Sequence, residues 1–471
     1  MNQMIIIIAS VLVSLLFVGV GIYYLRTIKS LKDFFYYKIP DNKRKLTISL
    51  VAANLTLGTG LVYLAQGGFS NGFLFLLVPI SLWFGYFLLS KFINYINYNS
   101  ESNFFEFIDS QIAVNQTKSI FKKAITFILL ITFILVLSYE VFASSSILAP
   151  LIFNSNDLFH QIIISAFIIF IALIYTISSG LKGVIMNDIF QIVLIILAIS
   201  FLIFGNHSIS LDSAITNIQN KIVLNNSFIW FTVILASINA ISTQFYSILN
   251  HGVITNAYAS DRNQILKRTG ICSGLLISLF ILFGLILPND NTSIDFTTLL
   301  ANSYGKVALV IIAIGFLSII YSTLDSLLII ISMFFHKNIL NREITDVPNK
   351  KGINNIRAFI SFTFVLIFAL LAFFFYYKSD LFFLLIGIGS GITVVVPLIL
   401  LSGYLYKKEK ISLLKNSYIW GYIVMFITAH IVYLYAITFS SFINYLPFLS
   451  YFFLAISFIY TLVLLKKINN G

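Results

Sequence analysis

Apolar residues in this chain run in long unbroken stretches, and polar residues collect in short gaps between them. A helix needs about 20 apolar residues to cross a bilayer. Continuous runs without alternation exclude the strands of a membrane barrel. Thirteen runs are predicted as helices, near 3–25, 47–68, 71–95, 124–150, 160–180, 183–205, 227–250, 268–288, 306–335, 355–377, 380–405, 416–439 and 444–466. The expected fold class is therefore an all-α membrane protein with 13 transmembrane helices. No polar gap is long enough to hold a separate soluble domain; the longest, 96–123, has under thirty residues.

Composition agrees with lipid as the main solvent. Of 471 residues, 59% are hydrophobic and 10% charged, and mean hydropathy is +0.97, too apolar for a soluble chain. Charge then orients the helices. With the N-terminus outside and the C-terminus inside, 26 of the 29 Lys and Arg fall in inward segments, leaving Lys221, Lys306 and Lys378. A missed helix would invert every later loop and spoil that bias. The first run is read as an N-out anchor, since Arg26, Lys29 and Lys32 follow it and no basic residue precedes it. The net charge of +12 is thereby explained by topology and anionic lipid, with no nucleic acid. A plasma membrane is the expected location, a bacterial inner membrane in particular.

The single cysteine, Cys272, gives no internal disulfide, and the five His lack metal-ligand spacing. With no phosphate-binding loop and no catalytic constellation facing water, an enzyme is not expected, and no cofactor beyond a coupling ion is.

Two helices carry polar residues at mid-span. The run 47–68 holds Asn54, Thr56, Gly58, Thr59 and Gly60, and the run 227–250 holds Asn239, Ser242, Thr243 and Gln244. They lie five helices apart, so they run in opposite directions, as broken helices of an inverted repeat do. Close helix packing through small residues is the alternative.

Three motifs resemble the sodium/solute symporter family, the importers of proline, sugars, sialic acid and pantothenate. They are the stretch Ser49 to Thr56, the stretch Tyr175 to Gln191 with Gly180 and Asp188 inside it, and Ser322-Thr323-Leu324-Asp325-Ser326. The resemblance implies a LeuT-like five-plus-five inverted repeat over 46–205 and 227–405, with one extra helix at 1–30 and two at 416–471. It implies sodium-coupled import of a small polar solute by alternating access, with solute, sodium and lipid bilayer as partners. The implied sodium ligands are the carbonyls of Ala52, Leu55 and Ile319 and the hydroxyls of Ser322 and Thr323. Membrane hydroxyls also bond the carbonyl four residues back, which is the competing reading.

A carboxylate within a span costs about 2.5–3.5 kcal/mol on insertion scales and is functional by default. Asp188 matches the family's acidic position, with an interfacial cap as its alternative. Asp325 stands where the family commonly has a hydroxyl. With Ser326, these two predict a second cation site, for sodium or for a shared proton. Substrate candidates are Asn54, Thr56 and Thr59 on one broken helix and Thr243, Gln244 and Tyr246 on the other. Glu140, mid-helix, either meets a substrate amine or pairs with a hydroxyl. Competing functions are a proton-coupled symporter using Asp325 and a transporter-like membrane sensor, though no polar segment is long enough for a regulatory domain.

Overall fold

The computed structural model describes residues 2–36, 43–96, 104–113, 118–206, 209–221, 230, 232–234, 236–244, 262–288, 294, 296–377, 394–438 and 446–470. Among these residues the chain is all helix, with two isolated backbone bridges, Ser30 to Pro348 and Asn206 to Tyr304. Eight helices among them are long and apolar enough to cross a membrane.

The elements that position the site are α1 (Asn2–Leu25), α2 (Leu31–Phe35), α3 (Lys43–Asn54), a wide turn (Leu57–Val62) leading into α4 (Tyr63–Asn71), α5 (Leu77–Tyr95) and α6 (Phe104–Ala113). They continue with α7 (Phe121–Phe153), α8 (Leu158–Phe204), α9 (Leu211–Asn220), α10 (Arg262–Ile286), α11 (Phe296–Ser303), α12 (Lys306–Phe334) and α13 (Lys350–Tyr377). The last are α14 (Val396–Lys407), α15 (Asn416–Thr438) and α16 (Leu446–Asn470).

Thirteen apolar runs and eight long spans differ for local reasons. The wide turn, α4 and α5 follow one another as an almost continuous helical run over Gly60–Tyr95. The fifth and sixth runs merge in α8, whose 47 residues would reach about 70 Å if straight, over twice the hydrocarbon thickness of about 30 Å. Each joint carries a glycine with dihedrals open to little else: Gly72 (φ 67°, ψ −155°) and Gly180 (φ 53°, ψ −161°). The seventh and eleventh runs lie partly outside the described residues, and the twelfth counts only as a shorter apolar helix, Asn416–Val432.

Helix α12 is the buried axis, with nearly every residue from Ile312 to Phe334 inside. Helix α8 packs along it, and α1 leans on both. Ser14 shares a hydrogen bond with the Tyr321 hydroxyl (3.1 Å), and the Tyr175 hydroxyl donates to the Tyr321 carbonyl (2.9 Å). The Asn187 amide donates to the Phe17 carbonyl (3.3 Å).

Segments that the charge pattern puts on one side touch one another. Lys32 pairs with Asp346 at 2.5 Å, Lys337 with Glu106 at 2.8 Å, and the Asn416 amide donates to the Lys118 carbonyl at 2.7 Å. On the other side, the Lys221 ammonium donates to the carbonyls of Gly284, Leu285 and Leu287 (3.0, 3.2 and 2.6 Å) and lies 4.4 Å from the centre of the Phe69 ring. A cation over the last carbonyls of α10 satisfies groups that a helix end leaves open. The gaps read as connectors hold the short helices α6, α9 and α11.

Gly180→Ala is expected to destabilise the protein by at least about 1–3 kcal/mol, the range for a residue forced into such dihedrals. A Cβ there would also lie 2.6 Å from the Phe34 carbonyl oxygen. Thermal unfolding in detergent reads it, and an unchanged midpoint would show that this joint relaxes freely.

Candidate functional site

Helix α3 stops at Asn54, Leu55 and Thr56 are extended, and the chain resumes at Leu57 as a wide turn. The break expected in this helix is therefore present. In hydrocarbon each backbone group it frees needs a partner inside the protein. Leu55 N–H donates to the Ala52 carbonyl (3.0 Å), and Leu61 N–H to the Thr56 carbonyl (3.0 Å). The Thr323 hydroxyl reaches both the Leu55 carbonyl (3.5 Å) and the Ile319 carbonyl one turn back on α12 (3.1 Å). Three of the five expected sodium ligands thus stand within one hydroxyl's reach.

Ser322, the fourth, donates to Asp188 Oδ1 at 2.8 Å. The other oxygen of Asp188 accepts from Ser49 on α3. Asp188 therefore ties together the inner half of the broken helix, α8 and α12. It is fully buried, as are Ser49 and Ser322. Ala52, the fifth ligand, is buried on the same stretch, with its carbonyl accepting from Leu55.

Asp325 is also fully buried, one turn beyond Ser322, and neither of its oxygens has a hydrogen-bond partner among the described residues. The Ser326 hydroxyl beside it is likewise without one. Asp188 is near enough to act on Asp325 electrostatically. Two carboxylates so placed do not both hold charge in a dry interior unless a cation sits between them. Hydroxyl and carboxylate oxygens are hard donors of the kind that sodium takes, and these residues fit that ion.

The substrate candidates divide. The Asn54 amide donates to the Tyr86 hydroxyl (2.5 Å) and to Ser273 (3.4 Å), joining α3 to α5 and α10. Gln244 packs on Gly85, next to Tyr86, where an added Cβ would meet its Cγ at 2.8 Å. Asn54 and Gln244 are thus brought to one stretch of α5. Thr56 lies at the break itself, and Thr59 is in the wide turn. Tyr246 lies outside the described residues.

Of the other helix expected to be broken, 227–250, the stretch 236–244 is helical, and 245–250 lies outside the described residues. Two side chains there fold onto their own turn: Thr243 Oγ1 and Gln244 Nε2 both donate to the Ala240 carbonyl (3.1 and 3.2 Å). Such back-bonding satisfies a polar side chain without unwinding the helix.

Glu140 has a partner that neither reading named. It is fully buried on α7, and Oε2 accepts from the Gly58 backbone N–H at 2.8 Å, inside the break. Ser49, Tyr86 and Ser273 were also missed as site residues. Ser49 sat in a quoted motif, but nothing local marks a serine as a carboxylate's partner across 139 positions.

In overall structure the chain is similar to a Na+-coupled sialic acid symporter in its substrate-bound outward-open state, with TM-score 0.69 and 16% identity over 98% of each chain. It is similar to MhsT in complex with L-phenylalanine, with TM-score 0.54 and 16% identity over 88% of this chain and 98% of that one. A manganese transporter of Eremococcus coleocola gives TM-score 0.49 at 10% identity, over 94% of this chain and 100% of that one. No protein-family model and no curated protein matches the sequence. The first two likenesses show the fold, that of a multi-pass helical membrane protein.

Asp188→Ala is expected to cost roughly 2–4 kcal/mol, since it leaves the buried hydroxyls of Ser49 and Ser322 without their acceptor. Asp188→Asn keeps one acceptor and is expected to cost less. Unfolding midpoints of the two variants check the order; equal losses would mean that the hydroxyls find other partners.

Proposed function

We propose that this protein is a sodium-coupled symporter, a secondary active importer of a small polar organic solute working by alternating access. The observation that carries the reading is the meeting of the broken helix with α12: Leu55 carbonyl, Thr323 hydroxyl and Ile319 carbonyl together, with Ser322 on Asp188 beside them. Sodium would be held by Ala52, Leu55, Ile319, Ser322 and Thr323, and would supply the positive charge that binds the inner half-helix to α12. Asn54, Thr56, Thr59, Thr243, Gln244 and Tyr246 remain the substrate candidates around the break. The bias of basic residues supports an N-terminus outside and a C-terminus in the cytoplasm of a plasma membrane. The five-plus-five inverted repeat and the family resemblance belong to the same reading.

Energetically the coupling suffices. One charge moving through 100 mV releases about 2.3 kcal/mol, and a tenfold solute gradient costs about 1.4 kcal/mol. A single sodium therefore supports more than a decade of accumulation.

A second cation position at Asp188, Asp325 and Ser326 is favoured by the unpartnered Asp325 carboxylate. It serves a second sodium or, in the proton-coupled alternative, a proton.

The test is thermal stability of the purified protein in choline chloride, titrated with sodium chloride. A ligand bound by the folded state alone raises its stability. We expect a sodium-specific rise that is lost in the Ser322→Ala/Thr323→Ala double variant and weakened in Asp325→Asn. No response to sodium, with a pH response that depends on Asp325, would replace sodium by a proton.

A further inference from the structure

The stretch 57–71 begins at the break as the outer half of the crossing, and its first backbone N–H groups have no carbonyl one turn earlier to bond. Such an end carries partial positive charge and draws anions. In transporters with broken helices it is the place where an anionic group of the substrate docks. Here a group of the protein itself lies there, the Glu140 carboxylate on Gly58 N–H at 2.8 Å.

The fit is close. Gly58 has no side chain, and a Cβ at that position would lie 2.7 Å from Ala143 Cβ, 2.9 Å from Tyr139 Cε1 and 3.3 Å from Glu140 Oε2. Helix α7 therefore abuts the break directly at this residue, and Glu140, Tyr139 and Ala143 are all buried.

A second observation concerns charge across the interior. No Lys or Arg occurs in 46–90, 124–181, 183–220, 222–261, 269–305 or 307–336, whereas Glu140, Asp188 and Asp325 all do. An anionic solute docking at the break would meet the buried Glu140 carboxylate, with no Lys or Arg on the stretches 46–90 and 124–181 that form the break and carry Glu140. In a low-dielectric interior that repulsion is strong.

We infer that Glu140 fills the anion seat of the broken helix from within the chain, so that the site selects a neutral or cationic solute over an anionic one. Glu140 acts as a specificity-determining residue, bonded to the backbone that the solute must approach. The inference rests on the transporter reading but not on sodium as the coupling ion.

The test uses the purified full-length protein, its Glu140→Gln variant and its Glu140→Ala variant, with Glu140→Ser in place of alanine if that variant does not fold. Unfolding midpoints are compared in sodium chloride and in equal concentrations of sodium formate, then repeated with the choline salts. We expect the wild type and Glu140→Gln to show no difference between formate and chloride. The truncated variant is expected to start lower and to rise saturably in formate, the small carboxylate taking the vacated seat. A formate-specific rise in the wild type would show an anion seat still open and overturn the inference. A truncated variant that formate does not stabilise would overturn it as well, because no anion seat would then exist at Gly58. A rescue that persists in choline salts, beside a flat sodium titration, would leave this inference standing while sodium coupling failed.

Discussion

A backbone broken in the middle of a bilayer has no water to satisfy it, and much of this structure follows from that constraint. The two extended residues at Leu55 and Thr56 interrupt a helix that would otherwise be self-sufficient. Their neighbourhood is satisfied from two sides. Helix α12 offers the Thr323 hydroxyl to the Leu55 carbonyl on the α3 side, and α7 offers the Glu140 carboxylate to Gly58 N–H on the α4 side. Each half of the crossing is thereby attached to a different scaffold helix. A crossing built this way can hold hard cations on its carbonyl side and set the charge preference on its amide side. Both properties come from the same break.

The scaffold around it is held by close backbone approach. Gly284 and Gly68 let α10 and α4 meet so closely that an added Cβ would come within 1.9 Å of the Ala65 oxygen and 2.4 Å of the Ile281 oxygen. Small residues at helix contacts are the usual solution where lipid tails are as apolar as leucine and packing must drive association. Lys221 closes the C-terminal end of α10 and also covers Phe69 on α4. The α4 half of the broken crossing is thus fastened to α10 by packing and by an ammonium group.

The architecture was largely legible because hydrophobic continuity and loop charge are properties of composition, and both survive extreme sequence divergence. The first break was legible too, since Asn54, Thr56 and two glycines within seven residues suit no ordinary span. What could not be read was direction. The polar cluster at 239–244 looked the same in sequence, yet Thr243 and Gln244 bond Ala240 and 236–244 is helical. Whether a mid-helix hydroxyl bonds its own turn or a neighbour is decided by rotamer and packing, and neither is written in the local sequence. For the same reason the pairing of Ser49 with Asp188 and of Glu140 with Gly58 emerged only from the fold. Each joins residues at least 82 positions apart.

Charge balance links the ion and solute halves of the site. Three carboxylates, Glu140, Asp188 and Asp325, lie buried in α7, α8 and α12, and no Lys or Arg occurs in 124–181, 183–220 or 307–336. Two have hydrogen bonds that a carboxylate can use: Asp188 from Ser49 and Ser322, Glu140 from Gly58. Asp325 has none among the described residues. Burying a charge is costly unless it is paired, so the excess must be met by protons or by mobile cations. A transporter whose fixed interior charge is negative binds its coupling cation more tightly before an anion could enter than any neutral interior would. It also gains nothing from an anionic solute that the cation has not already supplied. A solute that is neutral, or that carries its own positive charge, leaves the carboxylates free to bind the ion. On the symporter reading proposed above, Asp325 and Glu140 then belong to one electrostatic arrangement, in which the cation and not the solute neutralises the protein.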